Sequence, residues 1–407
     1  MKKWVGLFAL ILLTLIYVNS FFVRQIIAVL GVDIRAAFDL SNLQIGLLYG
    51  TAFSFIYALA GIPMGYLADL YSRKWMITIG LLVWSVMTLI SGFATSFAFL
   101  IVARLFVGLS QAMLSPAVYS YLADRYTPER RATIFSLYAS GIFVGVGLSF
   151  LIGGTVAQWY DWRSSLIVIS LPGLALFPLA VLLLREPERT NVQRAHPDSL
   201  LHSLRDILSK KTVRRHLIGF SFLACTGYTV LAFVGVIFND IHNRPDLTSH
   251  YGWFLFGVAG MVILSGLVAD RLGKKHPKRR FWMGILAAWG GVPFYIAGLF
   301  HSSAEMALML LGIGVLFSSS YNGVAAALLQ FLVTARQRAL AGGLYLFAVS
   351  VAGFGAGPPI TGFLSDRMFT GTDAIAQAVL AVMLICSAGA TVALVLAMRS
   401  YNEDEVG

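Results

Sequence analysis

Apolar stretches of about 20 residues recur along almost the whole of this chain, separated by short breaks rich in charged or turn-forming residues. Each is long enough, as an α-helix, to cross the roughly 30 Å hydrocarbon core of a bilayer. Lipid offers no partner to a bare peptide group, so only helices and closed barrels can span it. Unbroken apolar runs, rather than ten-residue segments of alternating polarity, select helices. The breaks predict twelve spans: near 6–30, 43–68, 75–95, 97–123, 132–158 and 164–184, then 216–239, 251–269, 281–300, 305–332, 340–364 and 374–398. The expected fold class is therefore all-α integral membrane. Composition agrees, since only 12% of residues are charged, about half the share of a soluble domain.

The formal net charge of +11 could suggest nucleic acid as a partner, but its distribution is topological. With the N-terminus assigned to the cytoplasm, twenty-four of the thirty basic residues fall in the N-terminus, the even-numbered loops or the C-terminal end. Only Arg35, Arg163, Arg244 and Arg367 fall in outer loops, while Arg24 and Arg104 lie inside predicted spans. This positive-inside pattern places both termini in the cytoplasm, implies no nucleic-acid partner and leaves the bilayer as the surroundings. The lack of long extensions suits a bacterial inner membrane. Lys2 and Lys3 followed by the apolar run Trp4 to Val18 could pass for a secretory signal, but no small-x-small cleavage site follows, so the run reads as a retained first span.

Enzymatic constellations are missing from the pattern. Cys225 and Cys386 both sit in apolar runs and form neither a disulfide framework nor a metal-ligand spacing. The sequence has no P-loop, no metal-spaced histidines and no nucleophile motif with a nearby base, so neither enzyme nor cofactor is expected.

The one long polar connection, 185–215, stands almost at the midpoint and divides an N-terminal six-helix bundle, 1–184, from a C-terminal one, 216–407. Within it, 199–209 has the pattern of an amphipathic interfacial helix. Sequence repeats across this divide. "GYLAD" at 65–69 matches "GLVAD" at 266–270, and "RATIFSLY" at 131–138 matches "RALAGGLY" at 338–345. Offsets near half the chain length imply a duplicated six-helix unit.

These stretches carry a resemblance. "GYLADLYSRK", 65–74, resembles the cytoplasmic signature of the major facilitator superfamily, and "RLFVGLSQA", 104–112, resembles its fourth-helix motif. "NSFFVRQIIAVL" at 19–30, "LSPAVYSYLADRYTPERRA" at 114–132, "DWR" at 161–163 and "REPER" at 185–189 look like the Spinster-type branch. The resemblance implies a monomeric secondary transporter in which two bundles rock around a site made chiefly by spans one, four, seven and ten. It also implies lysophospholipid or a related lipid as the substrate class.

Charges inside a membrane are costly and usually face a cavity. Tyr17, Ser20 and Arg24 stand at i, i+3 and i+7 on one face of span one; Arg104, Gly108 and Gln111, at i, i+4 and i+7, share a face of span four. Both arginines also admit a structural reading, and Arg24 an outward snorkel. All nineteen Asp and Glu residues fall in loops, tails or helix ends. The related family usually has Asp immediately before the position of Arg24 and Glu at that of Gln111; here the residues are Val23 and Gln111. The cations remain without those carboxylates, which favours an anionic or amphipathic small molecule as substrate and disfavours proton symport through a buried carboxylate.

A hydrophilic organic anion is the rival substrate, and a channel or non-transporting sensor the rival class. Tyr228 on span seven, and Tyr321 and Asn322 beside Ser318 on span ten, read equally as substrate contacts or as polar glue between helices. The stripe Tyr49, Phe53 and Tyr57 on span two reads as packing or as a wall. Gly65, Asp69, Arg73 and Asp124 form an expected conformational gate: Gly65 admits the Gly342-Gly343 start of span eleven, Asp69 faces that helix end, and Arg73 pairs with Asp124.

Overall fold

The computed structural model describes residues 2–126, 134, 137–186, 200–274, 276–333 and 337–401, without the side chains of 2–6, 62, 66, 69, 123, 200–202, 338 and 339. Twelve described helices are long and apolar enough to cross a membrane. They are Leu7–Val29, Asn42–Gly61, Arg73–Ser91, Phe97–Leu122, Leu137–Trp159 and Trp162–Leu183, followed by Lys211–Asp240, Leu247–Gly273, Pro277–Leu299, Ala304–Leu332, Leu340–Arg367 and Ala374–Ser400. No strand occurs among the described residues. The all-α membrane architecture expected from the apolar runs is what the chain forms. The predicted start of span five, at 132, lies outside the described residues.

Local chemistry sets where several spans begin. Ser41 accepts from the Gln44 amide at 3.2 Å while the Gln44 side chain accepts from the Ser41 amide at 2.9 Å, a reciprocal cap that starts span two. Ser96, Asp161 and Ser303 accept from Phe99, Ser164 and Met306 at 3.2, 2.6 and 3.3 Å, starting spans four, six and ten. Span seven starts at Lys211, earlier than the hydropathy break at 216. Its extra turn is polar yet helical, because Lys211 stays exposed and Arg214 and Arg215 donate to the carbonyls of Leu208 and Leu396 at 2.6 and 2.9 Å.

The chain forms two compact units, Met1–Val192 with Pro245–Phe256, and Gln193–Arg244 with Gly257–Gly407. In the first, span one packs on span five, span three on span six, and span two on span four. In the second, span seven packs on spans eleven and twelve, and span nine on spans ten and twelve. The pairings one with five and seven with eleven, and three with six and nine with twelve, give the sequence repeat a packing counterpart. The connection helix, Leu200–Ser209, belongs to the second unit. Ile207 is fully buried among Val213, Phe281 and Leu332, while Arg205 and Asp206 remain exposed, as its amphipathic pattern requires.

Interruptions repeat too. Span four breaks at Met113, three residues before Pro116, whose missing N–H leaves the carbonyl of Ala112 without its usual donor. Span ten breaks at Ser319 to Tyr321, the corresponding place in the second unit. Spans five and eleven each carry a π-helical segment, Ser149–Gly153 and Val349–Ala356, immediately before a glycine-bearing turn.

Spans two and four approach closely at Gly108, where an added Cβ would lie 2.6 Å from both the Phe53 carbonyl oxygen and Ile56. One of those atoms is backbone, so the space cannot be recovered by a rotamer change. A Cβ on Gly65 meets no described atom within 4 Å. Gly108→Ala should therefore lower the melting temperature of the purified protein by the equivalent of about 1–3 kcal/mol, whereas Gly65→Ala, with helix propensity in its favour, should leave it unchanged or raise it. Equal behaviour of the two variants in a thermal-shift assay would contradict this packing.

Candidate substrate-binding site

In the first unit the helical spacing on spans one and four brings Tyr17, Ser20, Arg24, Arg104 and Gln111 into one cluster. Arg24 is 8% exposed. Its Nε and Nη2 donate to Oε1 of Gln111 at 3.1 and 3.0 Å, and the Gln111 amide donates onward to the carbonyl of Ser20 at 2.9 Å. Gln111 thus serves both polarities, accepting a cation's protons at one end and pinning span four to span one at the other. Ser20 is itself buried, with its hydroxyl turned back to the carbonyl of Tyr17 at 2.9 Å.

Three rings box the guanidinium: Phe21, Phe53 and Tyr57 have centroids 4.3, 4.6 and 4.8 Å from its Cζ. Their faces supply negative potential where water is excluded. Phe53 and Tyr57 of the span-two stripe therefore line the cluster, while Tyr49 is fully buried and donates to Oε1 of Gln25 at 2.8 Å. Tyr17 continues the aromatic wall, stacked on Tyr138 at 4.1 Å, with Tyr119 edge-on to Tyr138 at 5.6 Å.

The two arginines differ in what they still offer. Arg104 is 3% exposed and donates Nη1 and Nη2 to the carbonyls of Val23 and Arg24, at 3.4 and 2.9 Å, with its Nε enclosed. It clasps the backbone of span one beneath Arg24. Arg24 uses only Nε and Nη2; among the described residues its Nη1 makes no hydrogen bond and is not enclosed. Neither arginine has a carboxylate partner among the described residues. The arrangement is one oriented cationic donor in an apolar and aromatic setting, able to accept a phosphate, carboxylate or sulfate oxygen.

A second polar cluster in this unit joins the ends of three spans. Arg73, 2% exposed, pairs with Asp124 through Nη1, and its Nε donates to Glu186 Oε1 at 2.9 Å. The Glu186 carboxylate also accepts from the Ser72 hydroxyl at 2.7 Å and from the Lys74 amide at 2.9 Å. A carboxylate there satisfies orphan N–H groups at the start of span three and complements its dipole. Glu186 lies 113 residues from Arg73, so no local pattern linked them. The helix-start chemistry at Ser72 called for an anion without saying which. The Asp69 side chain lies outside the described residues.

The second unit places its three candidates differently. Tyr228 is half-buried with its ring 4.7 Å from Phe354, Tyr321 is buried and stacked on Phe220, and Asn322 is exposed, donating to the Ser319 carbonyl at 2.7 Å. The break in span ten sends Tyr321 into the core and Asn322 outward. Ser318 bonds the Tyr295 hydroxyl at 2.8 Å instead of joining them.

Comparison with known proteins gives a consistent set of relatives. The Major Facilitator Superfamily model matches residues 13–277. An MFS-type efflux pump of Mycolicibacterium smegmatis is 26% identical over 411 residues, covering 99% of this chain and 94% of that protein. Protein spinster of Drosophila melanogaster is 26% identical over 395 residues, covering 90% of this chain and 62% of that protein. Among solved structures, a bacterial homolog to the human lysosomal transporter Spinster, inward-facing and unoccupied, superposes with a TM-score of 0.84 at 24% identity, covering 100% of this chain and 97% of that one. The last is a likeness of fold.

Burial alone would raise the Glu186 pKa, but the donors from Lys74, Ser72 and Arg73 outweigh it and hold the carboxyl below its ordinary value. A depressed carboxylate contributes stability that is present above the unfolded pKa of about 4.3 and lost as pH falls through the folded one. The stability difference between wild type and Glu186→Gln should be largest above about pH 4.5 and shrink on further acidification. A gap that widens on acidification would contradict the assigned contacts.

Proposed function

The chain belongs to the Major Facilitator Superfamily and is a Spinster-like, multi-pass membrane transporter; from that premise we propose that it carries an amphipathic organic anion, lysophospholipid-like in chemistry, by alternating access. The observation that supports this reading is the open Nη1 of Arg24, oriented by Gln111 and walled by Phe21, Phe53 and Tyr57. A phosphate or carboxylate oxygen takes that donor, and an apolar tail follows Tyr57 and the partly exposed Tyr119, which is backed by Tyr138. Arg104 acts through the backbone that carries Arg24 rather than on the substrate. Ser20 anchors Gln111, and Tyr228, Tyr321 and Asn322 are the second unit's own candidates for substrate contact.

Two consequences for mechanism follow. The described carboxylates lie at span ends or in connections, so the reading favours facilitated diffusion or exchange over proton symport through a buried acid. Gly65, Asp69, Arg73 and Asp124, with Glu186, act as the gate at the basic-loop side. The positive-inside distribution supports a cytoplasmic position for that side and for both termini, and a bacterial inner membrane and a monomer complete the proposal.

Counterflow in proteoliposomes tests it. Labelled lysophospholipid should exchange saturably, and Arg24→Gln should raise its apparent KM roughly tenfold to a hundredfold, the loss of one charge-assisted hydrogen bond. Arg104→Gln should instead lower the melting temperature. Unimpaired uptake by Arg24→Gln would overturn the anion reading. Exchange of a sugar acid but not of a lysolipid would favour the hydrophilic rival.

A further inference from the structure

The turn joining spans eight and nine, Asp270 to Trp282, reads "DRLGKKHPKRRFW", with six basic residues against one acid. One of those cations is structurally committed. The Arg280 guanidinium lies 4.7 Å from the Phe331 ring and 3.8 Å from Asp270, in space that only a glycine at 273 leaves free. Arg271, Lys274, Lys278 and Arg279 are exposed and have no protein partner among the described residues. Four uncompensated cations on one short turn are more than topology requires, since two basic residues serve the equivalent turn after span two.

Beside this turn the two helices do not close on each other. Val268 and Leu272 from span eight, and Trp282, Ile285, Leu286 and Trp289 from span nine, line an open apolar cavity of about 440 Å³. Trp282 is 53% exposed and Leu286 50%, while Trp289 is fixed by donating its indole N–H to Thr391 at 2.8 Å. The groove and the cations are contiguous in the chain: Arg271 adjoins Leu272, and Lys278 and Arg279 stand four and three residues before Trp282. An apolar slot ending at a basic turn and a membrane-interface tryptophan has two chemically distinct ends.

We propose that this groove is a binding site for an anionic phospholipid of the leaflet facing the basic loops. One acyl chain lies against Leu272, Leu286 and Trp289, and the headgroup phosphate meets Lys278, Arg279 and Lys274. Charge complementarity selects an anionic lipid over a zwitterionic one, because each basic side chain near such a headgroup contributes about a fivefold preference. The site is in the second unit and is independent of the substrate reading built on Arg24.

Quenching of tryptophan fluorescence by brominated lipid tests the proposal in reconstituted full-length protein. A small fraction of brominated phosphatidylglycerol in phosphatidylcholine vesicles should quench more strongly than the same fraction of brominated phosphatidylcholine. The excess should disappear in Trp282→Phe/Trp289→Phe. Lys278→Gln/Arg279→Gln, which retains Arg271, Lys274, Lys275 and Arg280 for topology, should cut the preference by at least about fivefold. Native mass spectrometry of the wild type provides a readout free of any variant, with phosphatidylglycerol retained where phosphatidylcholine dissociates. Equal quenching by the two lipids, a preference that survives the double charge variant, relief of quenching by inorganic phosphate, or equal retention of the two lipids would each overturn it.

Discussion

A guanidinium largely withdrawn from water must find most of its acceptors inside the protein, and this requirement organises spans one and four. Arg24 and Arg104 take an amide oxygen and two backbone carbonyls in place of carboxylates. Because Gln111 is neutral, the pair of cations keeps its net charge. A carboxylate at that position would neutralise one of them and provide a site for a proton. Glutamine accepts from Arg24 through the same kind of oxygen and adds no negative charge. The aromatic box around Arg24 then does what solvent would have done, at the cost of fixing three rings.

The same constraint explains why helix ends in this protein gather polar side chains from distant segments. The start of span three exposes amide donors at the membrane boundary, and Glu186, at the head of the long connection, satisfies them while pairing with Arg73. A connection that hydropathy reads merely as polar therefore begins as a cap on another helix. In the second unit the connection does the reverse job: Ile207 enters the core, and the Lys210 ammonium donates to the Leu332 carbonyl at 3.2 Å, holding the end of span ten.

Much of this architecture was legible in the linear pattern. Twelve apolar runs gave twelve spans, because in lipid a helix is the one open-chain solution for the backbone. The i, i+3 and i+7 spacing on span one, and its partner on span four, put Arg24, Ser20 and Gln111 on faces that meet, since helical periodicity survives burial. The duplicated motifs were legible as well, and the helix pairings one with five and seven with eleven accompany them. What periodicity could not give was the division of labour between the two arginines, which share residue type, depth and spacing. Nor could it place Tyr321 and Asn322, because one break in the helix rotates neighbouring residues to opposite environments.

By itself, then, the sequence determined the class of protein, the number of its spans, and the faces that carry its membrane charges. These follow from local rules: apolar length, helical period, capping chemistry and the cost of charge in lipid. Tertiary structure alone decided that Gln111 orients Arg24, that Glu186 closes a cluster with Arg73, and that a basic turn borders an apolar groove between spans eight and nine. Each of these depends on residues far apart in the chain or on how two helix surfaces fail to close. Such relations are fixed by packing, and no periodicity within one helix encodes them.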